Sequence, residues 1–141
     1  MNSIPRFHIA FPVHNLESAR EFYINILGCD IGRESDSWID FNLYGHQIVA
    51  HLSPEDCNPV NTNSVDEDDI PCRHFGVILE WSKWELLQDR IKKYEYLFLV
   101  KPKIRFKSKP GEQGTFFVND PSGNALEFKA FKNDSMVFKK F

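Results

Sequence analysis

The chain lacks any long apolar run, since its uninterrupted apolar stretches reach only four or five residues. A helix that crosses a bilayer needs roughly 20 consecutive apolar residues, so the sequence predicts no membrane partner. The first residues, Met1–Arg6, also lack the apolar run of a signal peptide. Cysteine is scarce, with three residues and no Cys-x-x-Cys spacing, which excludes a disulfide framework. We therefore expect a cytoplasmic protein.

An excess of basic charge is absent as well. The chain has 17 basic and 20 acidic residues and a net charge of −3. Proteins that bind nucleic acid are usually basic, because neutralising phosphates supplies much of their affinity. We therefore expect a small-molecule substrate and no nucleic-acid partner. With 141 residues and 42% apolar content, the chain can form a core without disulfides or structural metals.

The chain contains two runs of elements in the same order, each a strand, a helix and several strands. In the first run, alternation over 6–11 predicts a strand whose core face carries Phe7, Ile9 and Phe11. A helix is predicted to start at an Asn15 N-cap and to end at Gly28. The strands that follow are predicted at 38–43 and 47–52.

The second run begins with a predicted strand over 74–79. A capping box of Ser82 and Glu85 predicts the start of a helix. Three strands follow, at 103–106, 115–119 and 125–131. We expect one domain over 1–141, with module one at about 4–53, a linker at 53–71, module two at 72–132 and a tail at 133–141.

The segment 53–71 is acidic and has no apolar periodicity, which is typical of a linker, a mobile lid, or both. Its cluster Asp66–Asp69 lacks the spacing of an EF-hand, so we expect a solvated loop there rather than a cation site.

Four polar residues on different strands point away from the apolar residues of those strands: His8, His51, His74 and Glu127. If the helices cover the apolar faces, these four side chains project into one uncovered cleft. Imidazole and carboxylate are suitable ligands for a divalent first-row metal. Two histidines and one carboxylate form a facial triad that leaves open positions for water, substrate or dioxygen.

The segment Asp120-Pro-Ser-Gly-Asn-Ala-Leu-Glu127, together with the strand starts at His8 and His74, resembles the vicinal oxygen chelate superfamily. This superfamily contains glyoxalase I, bleomycin-resistance proteins, fosfomycin-resistance thiol transferases and type I extradiol dioxygenases, and the resemblance covers 6–131. It implies an α+β fold in which paired βαβββ modules form a curved mixed sheet around a metal cleft. By position, His8, His74 and Glu127 match the superfamily's metal ligands. His51 lies on the strand that supplies a fourth ligand in glyoxalase I.

The resemblance leaves three functions open. We place first a dioxygenase-like metalloenzyme that uses one divalent ion (Fe, Mn, Zn or Ni). Because Phe117 replaces a tyrosine of the dioxygenase motif and 107–114 lacks histidine, cleavage of an ordinary catechol is not expected. The second candidate is a glyoxalase-type lyase or isomerase, with Glu127 or His51 as the base. The third is a bleomycin-resistance-like binding protein, which the retained ligand types disfavour.

Three further expectations concern the substrate and the assembly. The loop Lys107–Gly114 is expected to border the cleft, and Arg105 to bind an anionic group of the substrate. Thr115 and Phe117 share the phase of Glu127 and are expected to contact substrate, provided that the turn Asp120–Gly123 preserves the face. A homodimer is expected, since twofold dimers are the commonest soluble assembly.

Overall fold

The computed structural model describes residues 4–140 and has a mixed α+β fold, as predicted. Contacts divide the chain into two compact units. Unit 1 contains the described residues up to Pro59 together with Asp120–Asn124, and unit 2 contains Val60–Asn119 and the residues from Ala125 onward. The expected linker is therefore shared between the units, which meet in sequence at Pro59 and Val60. No helix among residues 4–140 has the length and apolar character needed to cross a membrane.

Unit 1 is a four-stranded sheet covered by one helix. Its strands are β1 (His8–Val13), β2 (Asp30–Glu34), β3 (Trp38–Leu43) and β4 (His46–Leu52), in the order β1-β4-β3-β2. Strands β1 and β4 pair in parallel, and the other neighbours are antiparallel. Helix α1 (Leu16–Arg20) continues as a π-helical turn (Glu21–Ile26), and a short 3₁₀ turn (Pro54–Asp56) follows β4.

The start and the end of α1 follow the sequence prediction. The Asn15 side chain accepts a hydrogen bond of 2.8 Å from the Ser18 N–H, as an N-cap does. Gly28 ends the helix in the left-handed region, with φ of 79°. The fully buried Tyr23 packs its ring against Phe22 and Phe41 at centroid distances of 4.8 and 5.0 Å, which centres the core of unit 1.

Unit 2 repeats this architecture. Its sheet has the order β7-β10-β9-β8, built from β7 (His74–Leu79), β8 (Val100–Arg105), β9 (Gln113–Asn119) and β10 (Ala125–Phe131). Strands β7 and β10 pair in parallel, as β1 and β4 do. Helix α2 (Trp81–Lys93) buries Trp84, Leu87 and Ile91, and a 3₁₀ turn (Asp134–Met136) follows β10.

Unit 2 also contains a two-stranded hairpin, β5 (Thr62–Val65) and β6 (Asp68–Pro71), which we call the acidic hairpin. The sequence predicted an irregular linker here. Asp66 and Glu67 form the two-residue turn, both with positive φ, which is the geometry of a type I′ hairpin. The hairpin was not predicted because its strands show no apolar alternation and its turn lacks the usual Asn-Gly signal.

Two predictions about the elements were wrong. Phe7, expected on the core face, precedes β1 and is 59% exposed. The capping box of Ser82 and Glu85 does not form, because the N-cap is Glu80, two residues earlier, and α2 begins at Trp81. Trp81 gains a packing partner there, since its ring lies 5.2 Å from that of Trp84.

Strand β2 was missed altogether, since every residue in it is exposed and no buried face marks its sequence.

Candidate functional site

The centre of the candidate site is a pair of side chains in unit 2. His74 lies at the start of β7, and Glu127 lies on the neighbouring strand β10. His74 Nε2 and Glu127 Oε1 are 3.3 Å apart. The structure therefore brings together two of the side chains that the sequence predicted as metal ligands.

The hydrogen bonds of His74 define which of its nitrogens can bind a ligand. Nδ1 lies 2.8 Å from the backbone carbonyl oxygen of Pro71, which can only accept a hydrogen bond, so Nδ1 carries the proton. In the neutral imidazole, Nε2 is then a lone-pair acceptor that faces a carboxylate oxygen of Glu127, another acceptor. Two acceptors at this separation need a proton or a cation between them. This donor set fits a divalent metal.

Thr115 and Phe117 on β9 support the pair. The Thr115 hydroxyl donates a 2.5 Å hydrogen bond to Glu127 Oε2 and holds the carboxylate in place. The buried Phe117 ring meets the His74 ring edge to face at 5.0 Å. Both residues lie on the face of Glu127, as their even spacing predicted, because β9 and β10 pair in register across the Asp120–Gly123 turn.

A cavity of about 100 Å³ opens beside this pair, entirely within unit 2. Its apolar wall consists of Ile70, Val100 and Phe117. Its charged wall contains Lys103, Arg105 and Lys129 on the cationic side and Asp66 and Asp68 on the acidic side.

Arg105 therefore lies where the sequence placed it, beside the candidate site. The loop Lys107–Gly114, expected to border the site, contributes no residue to the wall of this cavity. The acidic hairpin occupies that place instead.

The carboxylates of the acidic hairpin are paired with the cations of β8. Asp66 Oδ2 contacts Arg105 Nη2, and Asp68 Oδ2 contacts Lys103 Nζ. Arg105 Nε is buried and has no hydrogen-bond partner among the described residues. The cluster Asp66–Asp69 is thus partly exposed, as expected, and two of its carboxylates are held in ion pairs.

In unit 1, His8 belongs to a chain of hydrogen bonds that also involves Gln47 and Asp40. Gln47 Nε2 donates to Asp40 Oδ2 at 3.3 Å, which directs the amide oxygen of Gln47 toward His8 Nδ1 at 2.8 Å. Because that oxygen accepts, Nδ1 of His8 carries the proton and Nε2 is free as a lone-pair ligand. His8 and His74 therefore present the same nitrogen.

His51 does not lie beside His8. In the parallel register of β1 and β4, His8 pairs with Gln47, and His51 pairs with Pro12 four residues further along. At ~3.3 Å per residue, this separates the backbones of the two residues by about 13 Å along the strand direction, so the two side chains leave the sheet at different places. Sequence reasoning missed Gln47 and Asp40, because the register of a parallel strand pair cannot be read from periodicity.

The two remaining histidines have structural roles. His14 is exposed, and its Nδ1 lies 2.7 Å from the Ser122 hydroxyl. His46 Nδ1 accepts a hydrogen bond of 2.9 Å from the Phe7 N–H.

The Asp120–Asn124 turn is held by the carboxylate of Asp120. Oδ1 accepts from the N–H groups of Ser122 and Asn124, both at 2.9 Å. Oδ2 accepts from the Tyr23 hydroxyl at 2.7 Å and from the Asn124 side chain at 2.9 Å. Burial raises the pKa of Asp120, and the hydrogen bonds from Asn124 and Tyr23 oppose that rise. This part of the motif is therefore structural, and it fixes the start of the strand that carries Glu127.

Within residues 4–140 of one chain, no group of three or more His, Cys, Asp or Glu side chains is arranged to hold a metal ion. The structure thus shows His74 in contact with Glu127 in unit 2 and His8 hydrogen-bonded to Gln47 in unit 1.

Comparison with known proteins identifies the family. None of the curated proteins matches the chain. A solved glyoxalase/bleomycin resistance protein/dioxygenase from Alicyclobacillus acidocaldarius is 32% identical, with a TM-score of 0.77 over 95% of this chain and 96% of that one.

Two more distant structures share the fold. FosX, a fosfomycin resistance protein from Listeria monocytogenes, is 17% identical with a TM-score of 0.67, over 97% of this chain and 99% of that one. Lactoylglutathione lyase from Agrobacterium tumefaciens is 14% identical with a TM-score of 0.64, over 92% of this chain and 96% of that one. Residues 7–128 match the family model, and the chain belongs to the glyoxalase/bleomycin resistance protein/dioxygenase superfamily.

Proposed function

We propose that the chain is a divalent-metal-dependent enzyme that acts on a small anionic molecule, with His8, His74 and Glu127 as the metal ligands. The observation that carries this proposal is the 3.3 Å approach of two acceptors, His74 Nε2 and Glu127 Oε1. A bound divalent metal would act at this pair as a Lewis acid toward the substrate.

The chain's own residues then have distinct roles. The Pro71 carbonyl fixes the proton of His74 on Nδ1, and Thr115 holds the Glu127 carboxylate. Arg105 binds an anionic group of the substrate, and Phe117 excludes water from one side of the pair.

A dioxygenase-like reaction is the first candidate. It rests on the three ligands, since a facial triad leaves open positions for substrate and dioxygen. A lyase or isomerase needs a base that moves a proton between adjacent carbons. His51, one base predicted for that reaction, is about four strand residues away from His8. Glu127, the other, is restrained by Thr115.

A glyoxalase-type lyase or isomerase is the second candidate, and the cationic wall of the cavity favours it. Lys103, Arg105 and Lys129 suit a substrate that carries carboxylates. In this reaction Glu127 would have to leave Thr115 and act as the base.

Metal titration of chelator-treated protein tests the ligand assignment. Calorimetry with Mn²⁺, Fe²⁺, Zn²⁺ and Ni²⁺ should give one site per chain. His74→Ala and Glu127→Gln should each weaken the best-bound metal by at least about 100-fold, since each removes one ligand. Glu85→Gln makes the same chemical change on the exposed surface of α2 and should leave affinity unchanged. Equal affinity in Glu127→Gln and wild type would refute the assignment.

The reaction is tested with the metal-loaded protein. The first candidate predicts oxygen consumption by the iron or manganese form with a panel of small anionic oxygen-chelating molecules. The second predicts oxygen-independent turnover of a glutathione hemithioacetal by the zinc or nickel form. Anaerobic turnover of that hemithioacetal, together with no oxygen consumption with any molecule of the panel, would place the lyase or isomerase ahead of the dioxygenase-like reaction.

A further inference from the structure

The acidic hairpin lines the cavity of unit 2 and is held there by both apolar and charged contacts. Its Ile70 is buried in one cluster with Val100 and Phe117, which form the apolar wall. Its Asp66 and Asp68 pair with two cations of β8, Arg105 and Lys103. The segment predicted to be a linker, a mobile lid, or both therefore forms one wall of this cavity.

The cavity beside the hairpin is small, with a volume of about 100 Å³. Pockets that hold small-molecule ligands usually measure about 300–1,000 Å³. A larger ligand gains room if part of the wall moves, and the hairpin is the part held by partly exposed ion pairs.

The guanidinium of Arg105 is incompletely satisfied by the hairpin. Asp66 contacts Nη2, while the neighbouring Nε is buried without a hydrogen-bond partner among the described residues. These two donors lie on one edge of the planar guanidinium, which a carboxylate or phosphate can bind with both oxygens at once. A ligand oxyanion on this edge would accept hydrogen bonds from both Nε and Nη2, whereas Asp66 contacts Nη2 and leaves Nε without a partner among the described residues.

Lys103 and Arg105 also have a defined spacing. They are two residues apart on β8, both line the cavity, and such residues lie about 7 Å apart on one face of a strand. The hairpin meets them with two carboxylates, one on each cation. The pattern of charges thus matches a molecule with two anionic groups.

We propose that Lys103 and Arg105 form a binding subsite for a small dianionic molecule, and that Asp66 and Asp68 occupy this subsite until the ligand displaces the hairpin. This proposal rests on the proposed function in one respect, because that function decides which molecule is the natural ligand of the subsite. The competition between hairpin and ligand is a property of unit 2 alone and does not require metal.

Binding of glutarate to chelator-treated protein tests this competition without any contribution from a metal. Asp66→Asn/Asp68→Asn removes the built-in carboxylates and should bind glutarate about tenfold more tightly than wild type, as two partly exposed ion pairs allow. Asn tolerates the left-handed conformation of Asp66, so the turn is retained. Valerate, which has the same chain length and one carboxylate, should bind more weakly than glutarate.

The matched control is Glu67→Gln/Asp69→Asn, which removes the same charge from exposed positions of the same hairpin. Its glutarate affinity should stay within about twofold of wild type, because surface charges are screened by salt. Lys103→Met/Arg105→Met should lose glutarate binding. In wild type, glutarate should speed amide hydrogen exchange over residues 62–71, because the ligand displaces the hairpin.

The two double variants separate the competition from a general effect of charge. Equal tightening in both would overturn the competition, and so would glutarate that protects residues 62–71 from exchange. Absence of glutarate binding to wild type and to Asp66→Asn/Asp68→Asn would overturn the subsite itself. Since the metal titration is separate, either failure is distinguishable from a failure of the metal assignment.

Discussion

His8 and His74 each have Nδ1 hydrogen-bonded to an oxygen acceptor, so that Nε2 is the nitrogen with the lone pair in both. The acceptors differ: His74 uses a backbone carbonyl, whereas His8 uses the side chain of Gln47, which Asp40 orients. A side-chain acceptor can be removed by mutation without change to the backbone. Gln47 is therefore the residue at which the orientation of a proposed ligand can be tested.

Gln47→Met should weaken metal binding roughly 10- to 100-fold, the usual cost of losing a partner that orients a ligating histidine. The proton of His8 would no longer be fixed on Nδ1, and the ring could rotate. His51→Ala, on the same strand and the same face, should leave metal affinity unchanged because of its distance from His8. Titration calorimetry compares the two variants. A loss in His51→Ala as large as that in Gln47→Met would contradict the separation of these residues.

Asp120 gives a prediction about pH. Its pKa is raised by burial above the ordinary value of 3.8, so the folded protein holds this proton more tightly than the unfolded chain. The free energy of unfolding contributed by Asp120 should therefore fall as pH rises from about 3.8 through the raised pKa. Urea unfolding at a series of pH values measures it.

In Asp120→Asn the part of the pH dependence of the unfolding free energy that comes from Asp120 should vanish. The variant should also lose about 1–3 kcal/mol of stability with its hydrogen bonds to Tyr23 and Asn124. A difference between wild type and variant that does not change with pH would contradict the role of this carboxyl.

At the scale of elements, the pairing of β7 with β10 depends on the absence of a side chain at Gly76. A Cβ atom at this position would lie 1.6 Å from the carbonyl oxygen of Glu127. Gly76→Ala should therefore push the two strands apart and cost about 3 kcal/mol or more. Ile78→Ala, on the same strand and 45% exposed, should cost less than about 1 kcal/mol. Equal midpoints of thermal unfolding in the two variants would rule out this close approach.

Elements with a buried face were predictable from the sequence, and elements without one were not. The strands that carry His74 and Glu127 alternate clearly, and Phe128 and Leu126 are fully buried, so the position of Glu127 on the open face followed. β2 and the acidic hairpin lack that signal because they are stabilised by backbone pairing and ion pairs. The register of β1 with β4 was equally hidden, which is why Gln47 was missed and His51 was proposed.

At the scale of the whole molecule, the repeated order of strands distributes the proposed ligands unequally. Unit 2 carries two of them, His74 and Glu127, and unit 1 carries His8. We expect the protein to form a twofold homodimer, the commonest closed assembly of soluble chains. Sedimentation equilibrium at micromolar concentration should give twice the mass of 16.5 kDa. A stable monomer under these conditions would contradict this prediction.

The Asp120–Asn124 turn, which belongs to unit 1 although it joins two strands of unit 2, has a consequence for synthesis on the ribosome. After Pro59 the ribosome must add about 65 residues before Asn124 emerges, which takes roughly 3–13 s at ~5–20 residues per second. During this interval the Tyr23 hydroxyl and the Pro12 carbonyl lack the partners they have in the finished chain, Asp120 and Asn124. The N-terminal half of the nascent chain therefore lacks these two hydrogen bonds until the Asp120–Asn124 turn has been synthesised.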